Sequence, residues 1–304
     1  MKLILSDGQS LKFKNYFKQL STEYSFEFDY SGYKDILFSF TEKNNSIHTE
    51  AHLFSTGKNI TDYDGVYFKS YEFRPDIAYA FACILNYYGI KYIDKEVGMA
   101  ISSSKLSMYT KLALANLSIP DTYAGHTKAI KTGLKNGYIN FNNQKKVLKR
   151  ADADRGIDNY LVNSNKEIEA ILDSKPLSIW LLQDYIENDG YYRIMIYGQE
   201  AKVAIFRKLM PRPDKNKMKA HMYRPKGGEN ATLVNISDLN DDIIQISKKA
   251  AKTMNRQIAG VDVLIGKKNQ KVYLMEVNYN PELVNLSAFK KEREDALVDY
   301  LRKF

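Results

Sequence analysis

Apolar and polar positions along this chain fall into short strand-length runs separated by stretches of helical period, a mixed α and β pattern. Leu3–Leu5, Phe26–Phe28, Ile36–Phe40, Tyr63–Lys69 and Ile90–Ile93 are apolar or aromatic runs of strand length. Ser10–Leu20 fits a short helix. Asp76–Tyr88 fits another, with Ile77, Ala80, Phe81, Ile84 and Leu85 on one side and Gly89 as its stop. Together these predict a small α/β unit over residues 1–98. Residues 99–104 read as a linker, in which Ser102, Ser103 and Ser104 offer capping oxygens to a helix over Lys105–Leu117.

Further along, Gln144–Arg150 reads as a strand carrying Lys149, followed by a charged turn, Ala151–Asp158. A helix is predicted over Asn165–Asp173 and a strongly apolar strand over Ile179–Ile186. Tyr192–Tyr197 and Ala201–Leu209 form a hairpin around Gly198–Gln199–Glu200, with Arg193 on its first strand and Arg207 on its second. A helix over Asp238–Asn255 turns Ile243, Ile246, Ala250 and Met254 inward. Ser287–Lys303 reads as a charged amphipathic helix.

The last strand pair, Gly260–Ile265 and Lys271–Asn278, carries the most pointed chemistry. Glu276 and Asn278 are two apart and share a face, and Asp262 alternates with Val261 and Val263. Two carboxylates and an amide oxygen are hard ligands of the kind Mg²⁺ prefers. The same spacing also fits an ordinary amphipathic hairpin with a polar outer face. Lys105 sits in the first turn of its helix, where a cation opposes the helix dipole; it is either a solvated lysine or one with another task.

Composition narrows the classes. The 304 residues are 44% apolar and 27% charged, ordinary for a globular chain. The single cysteine, Cys83, lies in an apolar helical run and is expected in the core; a disulfide framework within the chain is excluded. The N-terminal apolar run is too short for a signal peptide, and no segment approaches the ~18 apolar residues of a membrane span. A soluble, cytoplasmic protein is the expectation. The net charge is +9, and the stretch from Lys202 to Lys226 holds nine basic residues against Asp214 alone. Such a stretch can hold nucleotide phosphates, an acidic substrate or a nucleic-acid backbone. His48 and His52 have i,i+4 spacing without a third ligand nearby and read as a surface pair rather than a zinc site.

The order of these features resembles the ATP-grasp superfamily, closest to its RimK-like (ribosomal protein S6 glutamate ligase) and glutathione-synthetase branch. The residues that carry it are Lys105, Lys149, Leu182–Gln183–Asp184–Tyr185–Ile186, Gly190–Tyr191–Tyr192–Arg193, Val203–Ala204–Ile205–Phe206–Arg207, Gly260–Val261–Asp262 and Glu276–Val277–Asn278. The resemblance covers about residues 99–285. It implies an α+β ATP-grasp fold: a pre-ATP-grasp unit at 1–98, a central subdomain at 99–180 and a C-terminal subdomain with the metal site at 181–304. By the same resemblance, Lys105, Lys149, Arg155 and Gly156 would hold the ATP phosphates, and Gln183, Asp184, Tyr185 and Ile186 the adenine. Asp189 or Glu187 would serve the ribose. Asp262, Glu276 and Asn278 would hold Mg²⁺, two ions, with Mn²⁺ able to substitute. Arg193 and Arg207 would line the γ-phosphate and an acyl-phosphate.

The activity implied is a carboxylate–amine ligase that joins an amine, such as an amino acid, to a carboxylate acceptor: a peptide, a protein tail or a metabolite. Homo-oligomers are common in similar families. Three positions depart from the family pattern. The phosphate-covering loop, Asp152–Ala153–Asp154–Arg155–Gly156, is poor in glycine; Tyr191 stands in the usual ribose-binding slot; and Glu282 replaces the usual glycine after Pro281. Two other readings remain open: a ligase acting on a nucleic acid or modified nucleobase, and a non-catalytic ATP-binding module.

Overall fold

The computed structural model describes residues 1–6, 11–43, 46–99, 104–140, 144–151, 158–209, 230–279 and 289–304. The first part of the chain runs β1 (Lys2–Ser6), α1 (Leu11–Tyr24), β2 (Phe28–Gly32), β3 (Ile36–Lys43), β4 (Ser46–Leu53), β5 (Lys58–Asn59), β6 (Gly65–Phe68), α2 (Pro75–Tyr87) and β7 (Lys91–Ile93). Strands β2-β1-β6-β7 form a parallel sheet in that order, and β3-β4-β5 a small antiparallel one. Parallel strands are covered on both faces, which is why Leu3, Leu5, Val66 and Phe68 are all apolar and fully buried.

After α3 (Lys105–Leu114) a second antiparallel sheet is built from β8 (Thr122–His126), α4 (Thr127–Lys135), β9 (Lys146–Arg150), β10 (Asn159–Val162), α5 (Asn165–Asp173) and β11 (Ile179–Asp184). Its strand order is β10-β9-β11-β8. Its core gathers Leu148, Val162, Ile168, Trp180 and Leu182, with Ile130 and Leu134 from α4. Trp180 is fully buried, and its indole N–H donates to the Thr127 hydroxyl at 3.1 Å.

The fourth sheet is five-stranded. It is formed by β12 (Gly190–Tyr197), β13 (Glu200–Lys208), β14 (Ala231–Val234), β15 (Ile258–Ile265) and β16 (Val272–Asn278), with α6 (Asp241–Thr253) and α7 (Lys290–Lys303). The order β14-β13-β12-β15-β16 leaves β16 at an edge. One face packs on α3 and α6 through Ile194, Ala204, Val261, Val263 and Leu274. Part of the other face shares a core with the first sheet and α7: Met195, Tyr197, Val203, Ile205 and Ile258 meet Ile4, Phe17, Tyr67, Ile93 and Leu297. The Asp94 carboxylate accepts the backbone N–H groups of Gln257 and Ile258 at 2.6 and 2.8 Å, and burial pushes it up to about 7. The N-terminal unit is thus docked by both an apolar core and a buried polar contact.

Several sequence expectations shift. The strand expected at Phe26–Phe28 lies at Phe28–Gly32, and α1 runs on to Tyr24. Strands β4, β8, β10 and β14 and helix α4 were not anticipated from the pattern. Cys83 is exposed on the outer side of α2, so its apolar neighbours do not make it core. His48 and His52 lie on an extended strand, where four residues span ~13 Å, so their i,i+4 spacing makes no helical pair. No helix among the described residues is long and apolar enough to cross a membrane.

Leu182 is fully buried in the second antiparallel sheet's core. Leu182→Ala should destabilise the protein by about 2–5 kcal/mol in urea unfolding, through lost burial and a residual cavity. A loss below about 1 kcal/mol would show that this core relaxes freely around the gap.

Candidate functional site

The face of the five-stranded sheet not covered by α6 carries a polar window between two apolar blocks. Strand pairing sets it. Arg193 on β12 lies opposite Asp262 on β15, which lies opposite Glu276 on β16; Gly260 lies opposite Asn278. On β13, Arg207 lies opposite Tyr191, two residues before Arg193. Arg193, Arg207, Asp262, Glu276 and Asn278 therefore share one face. The pairing jumps between Asp262 and Val263, leaving Met275 as an extra residue on β16. This bulge inverts the alternation. Glu276 and Asn278 stay on the polar face, while Leu274 turns into the α6-side core beside Val263. Tyr273 and Met275 instead join Tyr191, Leu264 and Ile186 in an apolar shelf next to the window.

Within the window Arg193 donates to both oxygens of Asp262, Nε to Oδ1 and Nη2 to Oδ2, each at 2.7 Å. Both side chains are buried. A bidentate, desolvated pair of this kind holds its geometry tightly. The Asn278 amide donates to the Gly260 carbonyl at 3.2 Å and stands 3.5 Å from Asp262 Oδ2.

The opposite wall comes from β9 and α3. Ser104 caps α3, accepting the Ser107 N–H at 3.1 Å, and the Lys105 N–H reaches the Ala151 carbonyl at the end of β9 at 3.3 Å. This brings Lys105 close to Lys149. Burial pushes the Lys149 ammonium down to about 8; Glu276 acts to raise it and Lys105 to lower it further. Two lysines and Glu276 therefore feel one another across the cleft. Tyr109, on α3, donates its hydroxyl to the Met275 carbonyl at 2.6 Å. Burial raises its pKa, with Glu276 and Asp262 adding to the shift. Sequence reasoning missed Tyr109. The available signal was its i,i+4 position after Lys105 on one helix.

At the end of β11, Gln183 is buried; its amide nitrogen donates to Thr122 at 2.8 Å, while its Oε1 has no hydrogen-bond partner among the described residues. Asp184 is ion-paired with Lys146 of β9, so its carboxylate is already engaged. The Tyr185 N–H donates to the Lys145 carbonyl at 3.0 Å, and the Asn188 amide to the Ile186 carbonyl at 2.7 Å. Asp189 is exposed and pairs with Lys267 at 2.6 Å. Arg155, Gly156, Pro281, Glu282 and most of the basic stretch lie outside the described residues.

These groups fit a nucleotide with a hard cation. The orphaned Gln183 Oε1 can accept from an exocyclic amine, the apolar shelf suits a flat base, the two lysines face a polyanion, and the window supplies oxygen ligands.

The RimK-like ATP-grasp domain model matches residues 103–301. The chain is 25% identical over 263 residues to a probable alpha-L-glutamate ligase of Shewanella frigidimarina, covering 84% of this chain and 78% of that protein. It is 28% identical over 163 residues to one of Shewanella baltica, covering 52% of this chain and 50% of that protein. The chain thus spans about half the length of that relative. Among solved structures it resembles a Chryseobacterium gregarium RiPP-associated ATP-grasp ligase in complex with ADP and a leader and core peptide, with a TM-score of 0.63, 14% identity and 99% and 96% of the two chains covered. It also resembles D-alanyl-alanine synthetase A of Vibrio cholerae, with a TM-score of 0.61, 13% identity and 99% and 97% covered. The fold is that of the ATP-grasp ligases. The chain belongs to the RimK-like ATP-grasp family.

With Lys149 at about 8, its charge is present at neutral pH and is lost as pH rises past that value. Metal-free ADP affinity, measured by calorimetry, should weaken by roughly tenfold between pH 7 and 9.5. Lys149→Arg should flatten the profile, because arginine stays charged. A flat wild-type profile would remove Lys149 from phosphate contact.

Proposed function

We propose that the protein is an ATP-dependent carboxylate–amine ligase that adds an amino acid to an anionic peptide, protein tail or metabolite. The carrying observation is the strand register that puts Arg193, Arg207, Asp262, Glu276 and Asn278 on one sheet face. Lys105 and Lys149 would hold the phosphates, and Gln183 with the shelf around Ile186 and Tyr191 the base. Asp262, Glu276 and Asn278 would hold Mg²⁺. When bound, Mg²⁺ neutralises phosphate charge and the nucleotide supplies the phosphoryl group. A carboxylate oxygen of the acceptor attacks the γ-phosphorus and ADP leaves. The amine nitrogen then attacks the acyl carbon, phosphate departs, and the nitrogen loses a proton. The chain supplies positioning and charge, because phosphoryl transfer asks for little covalent help.

Arg193 commits two of its five N–H donors to Asp262, so it orients that carboxylate beside the cation ligands. Arg207 is buried beside it on the same face. The names of the glutamate-ligase relatives support glutamate as the amine, and the basic stretch from Lys202 to Lys226 supports an anionic acceptor. The division at residues 98 and 180 remains part of this reading.

The test is incubation with ATP, Mg²⁺, the twenty amino acids and acidic peptides or extract, with ADP release and product mass followed together. A mass gain of one amino-acid residue with stoichiometric ADP is expected. Glu276→Gln and Asp262→Asn should reduce turnover by roughly 100-fold or more while the protein stays folded. Nucleotide binding without substrate-dependent ADP would instead make this a non-catalytic nucleotide-binding module.

A further inference from the structure

Strand β16 carries Glu276 and Asn278 on the open edge of its sheet, and the carbonyl between them, that of Val277, points away from β15's ladder. That carbonyl is taken by Arg256, which follows α6. The Arg256 guanidinium is buried. Its Nη1 donates to the Val277 carbonyl, its Nε donates to Glu96 Oε2 at 2.7 Å, and its Cζ lies 4.9 Å from the centre of the Tyr279 ring.

Glu96 belongs to the turn after β7, in the N-terminal part of the chain. It is itself buried. It also accepts the Tyr71 hydroxyl at 3.0 Å and faces Lys111 of α3 at 3.5 Å. Tyr71 in turn packs on Tyr279, with ring centres 5.0 Å apart. Three separate parts of the chain therefore meet at the Glu96 carboxylate: Tyr71 of the N-terminal unit, Lys111 of the helix that begins with Lys105, and Arg256 after α6, which passes the contact on to the strand with Glu276 and Asn278.

Stability alone gives a weak reason for such an arrangement. A buried ion pair adds little over apolar packing of the same volume, because both charges must be desolvated. Its geometry accounts for it better. The fork of Arg256 is rigid and reaches two acceptors at once. It sets the position of the peptide unit that joins two ligand residues, on a strand with no ladder partner on that side among the described residues.

We infer that Arg256, anchored by Glu96, is a positioning residue for the Glu276–Asn278 pair, and that it couples the seating of the N-terminal unit to the cation end of the nucleotide site. This rests on the reading of Glu276 and Asn278 as cation ligands. Arg256 touches neither nucleotide nor cation in this scheme; it acts through the Val277 carbonyl. Lysine can reach one of the two acceptors but cannot bridge them, and glutamine at position 96 keeps the volume while losing the charge.

The test is ADP binding measured by calorimetry with and without Mg²⁺, in the wild type and in Arg256→Lys, Arg256→Met and Glu96→Gln, with thermal unfolding recorded for each. The wild type should bind ADP more tightly with Mg²⁺. The variants should lose at least tenfold of that Mg²⁺-dependent gain while metal-free ADP affinity stays within twofold. Should Arg256→Met fail to fold, the two milder variants carry the comparison. An undiminished Mg²⁺-dependent gain in folded Arg256→Lys and Glu96→Gln overturns the inference. An equal loss of metal-free and Mg²⁺-dependent binding also overturns it, since that is what general loosening would produce. If the wild type shows no Mg²⁺ dependence at all, the cation-site reading itself fails and the inference falls with it; Lys149-dependent ADP binding would then persist and separate the two failures.

Discussion

The open edge of β16 is the constraint around which the site is arranged. An edge strand leaves every second peptide unit without a ladder partner, and buried N–H and C=O groups must be satisfied somewhere. Here four backbone groups of β16 find specific partners outside the ladder. Ser118 accepts the Leu274 N–H, Tyr109 donates to the Met275 carbonyl, Met108 sulfur lies 3.3 Å from the Val277 nitrogen, and Arg256 takes the Val277 carbonyl. Most of these partners come from α3 or the residues just after it. The helix that starts with Lys105 therefore also fixes the strand that carries Glu276. Phosphate-facing and cation-facing groups are held in register by one rigid element rather than by two independent loops.

A second consequence follows from how one sheet face is divided. Apolar residues toward one end dock the N-terminal unit and α7, and those toward the other form the shelf near Ile186. The charged residues lie between, walled on both sides from bulk water. In such surroundings the electrostatic interactions among Lys149, Lys105 and Glu276 are stronger than they would be on an open surface. The Arg193–Asp262 pair satisfies two buried charges of the window before any ligand arrives. Lys149 and Lys105 meet at the same cleft, and two like charges so placed favour a polyanion between them.

Much of this was legible along the chain, and the reasons for the exceptions are physical. The ATP-grasp fold could be read because hairpins, an apolar hinge strand and helix caps are local signals that occurred in the right order. Gln183 and Asp184 look equivalent in sequence, one polar residue after another at a strand end. Only the packing of β9 against β11 shows that Lys146 engages Asp184 while Gln183 keeps a buried acceptor. Arg256 and Glu96 are 160 residues apart and carry no motif, so nothing local could join them. Cys83 misled in the opposite way, since an apolar helix context says nothing about which side of the helix faces the core.

Composition and periodicity by themselves determined that this is a mixed α and β chain, that its polar chemistry gathers near the last hairpin, and that Asp262, Glu276 and Asn278 come from strands rather than loops. They did so because side-chain direction in a strand alternates with period two, a property of the local backbone. Tertiary structure decided the rest. The bulge at Asp262 reversed the phase of β16, so that Leu274, which alternation puts beside Glu276, is buried on the opposite face. Strand order made β16 an edge, and that choice created the need for Tyr109 and Arg256. Pairing register and edge exposure are properties of contacts between distant segments. No window of sequence contains both partners.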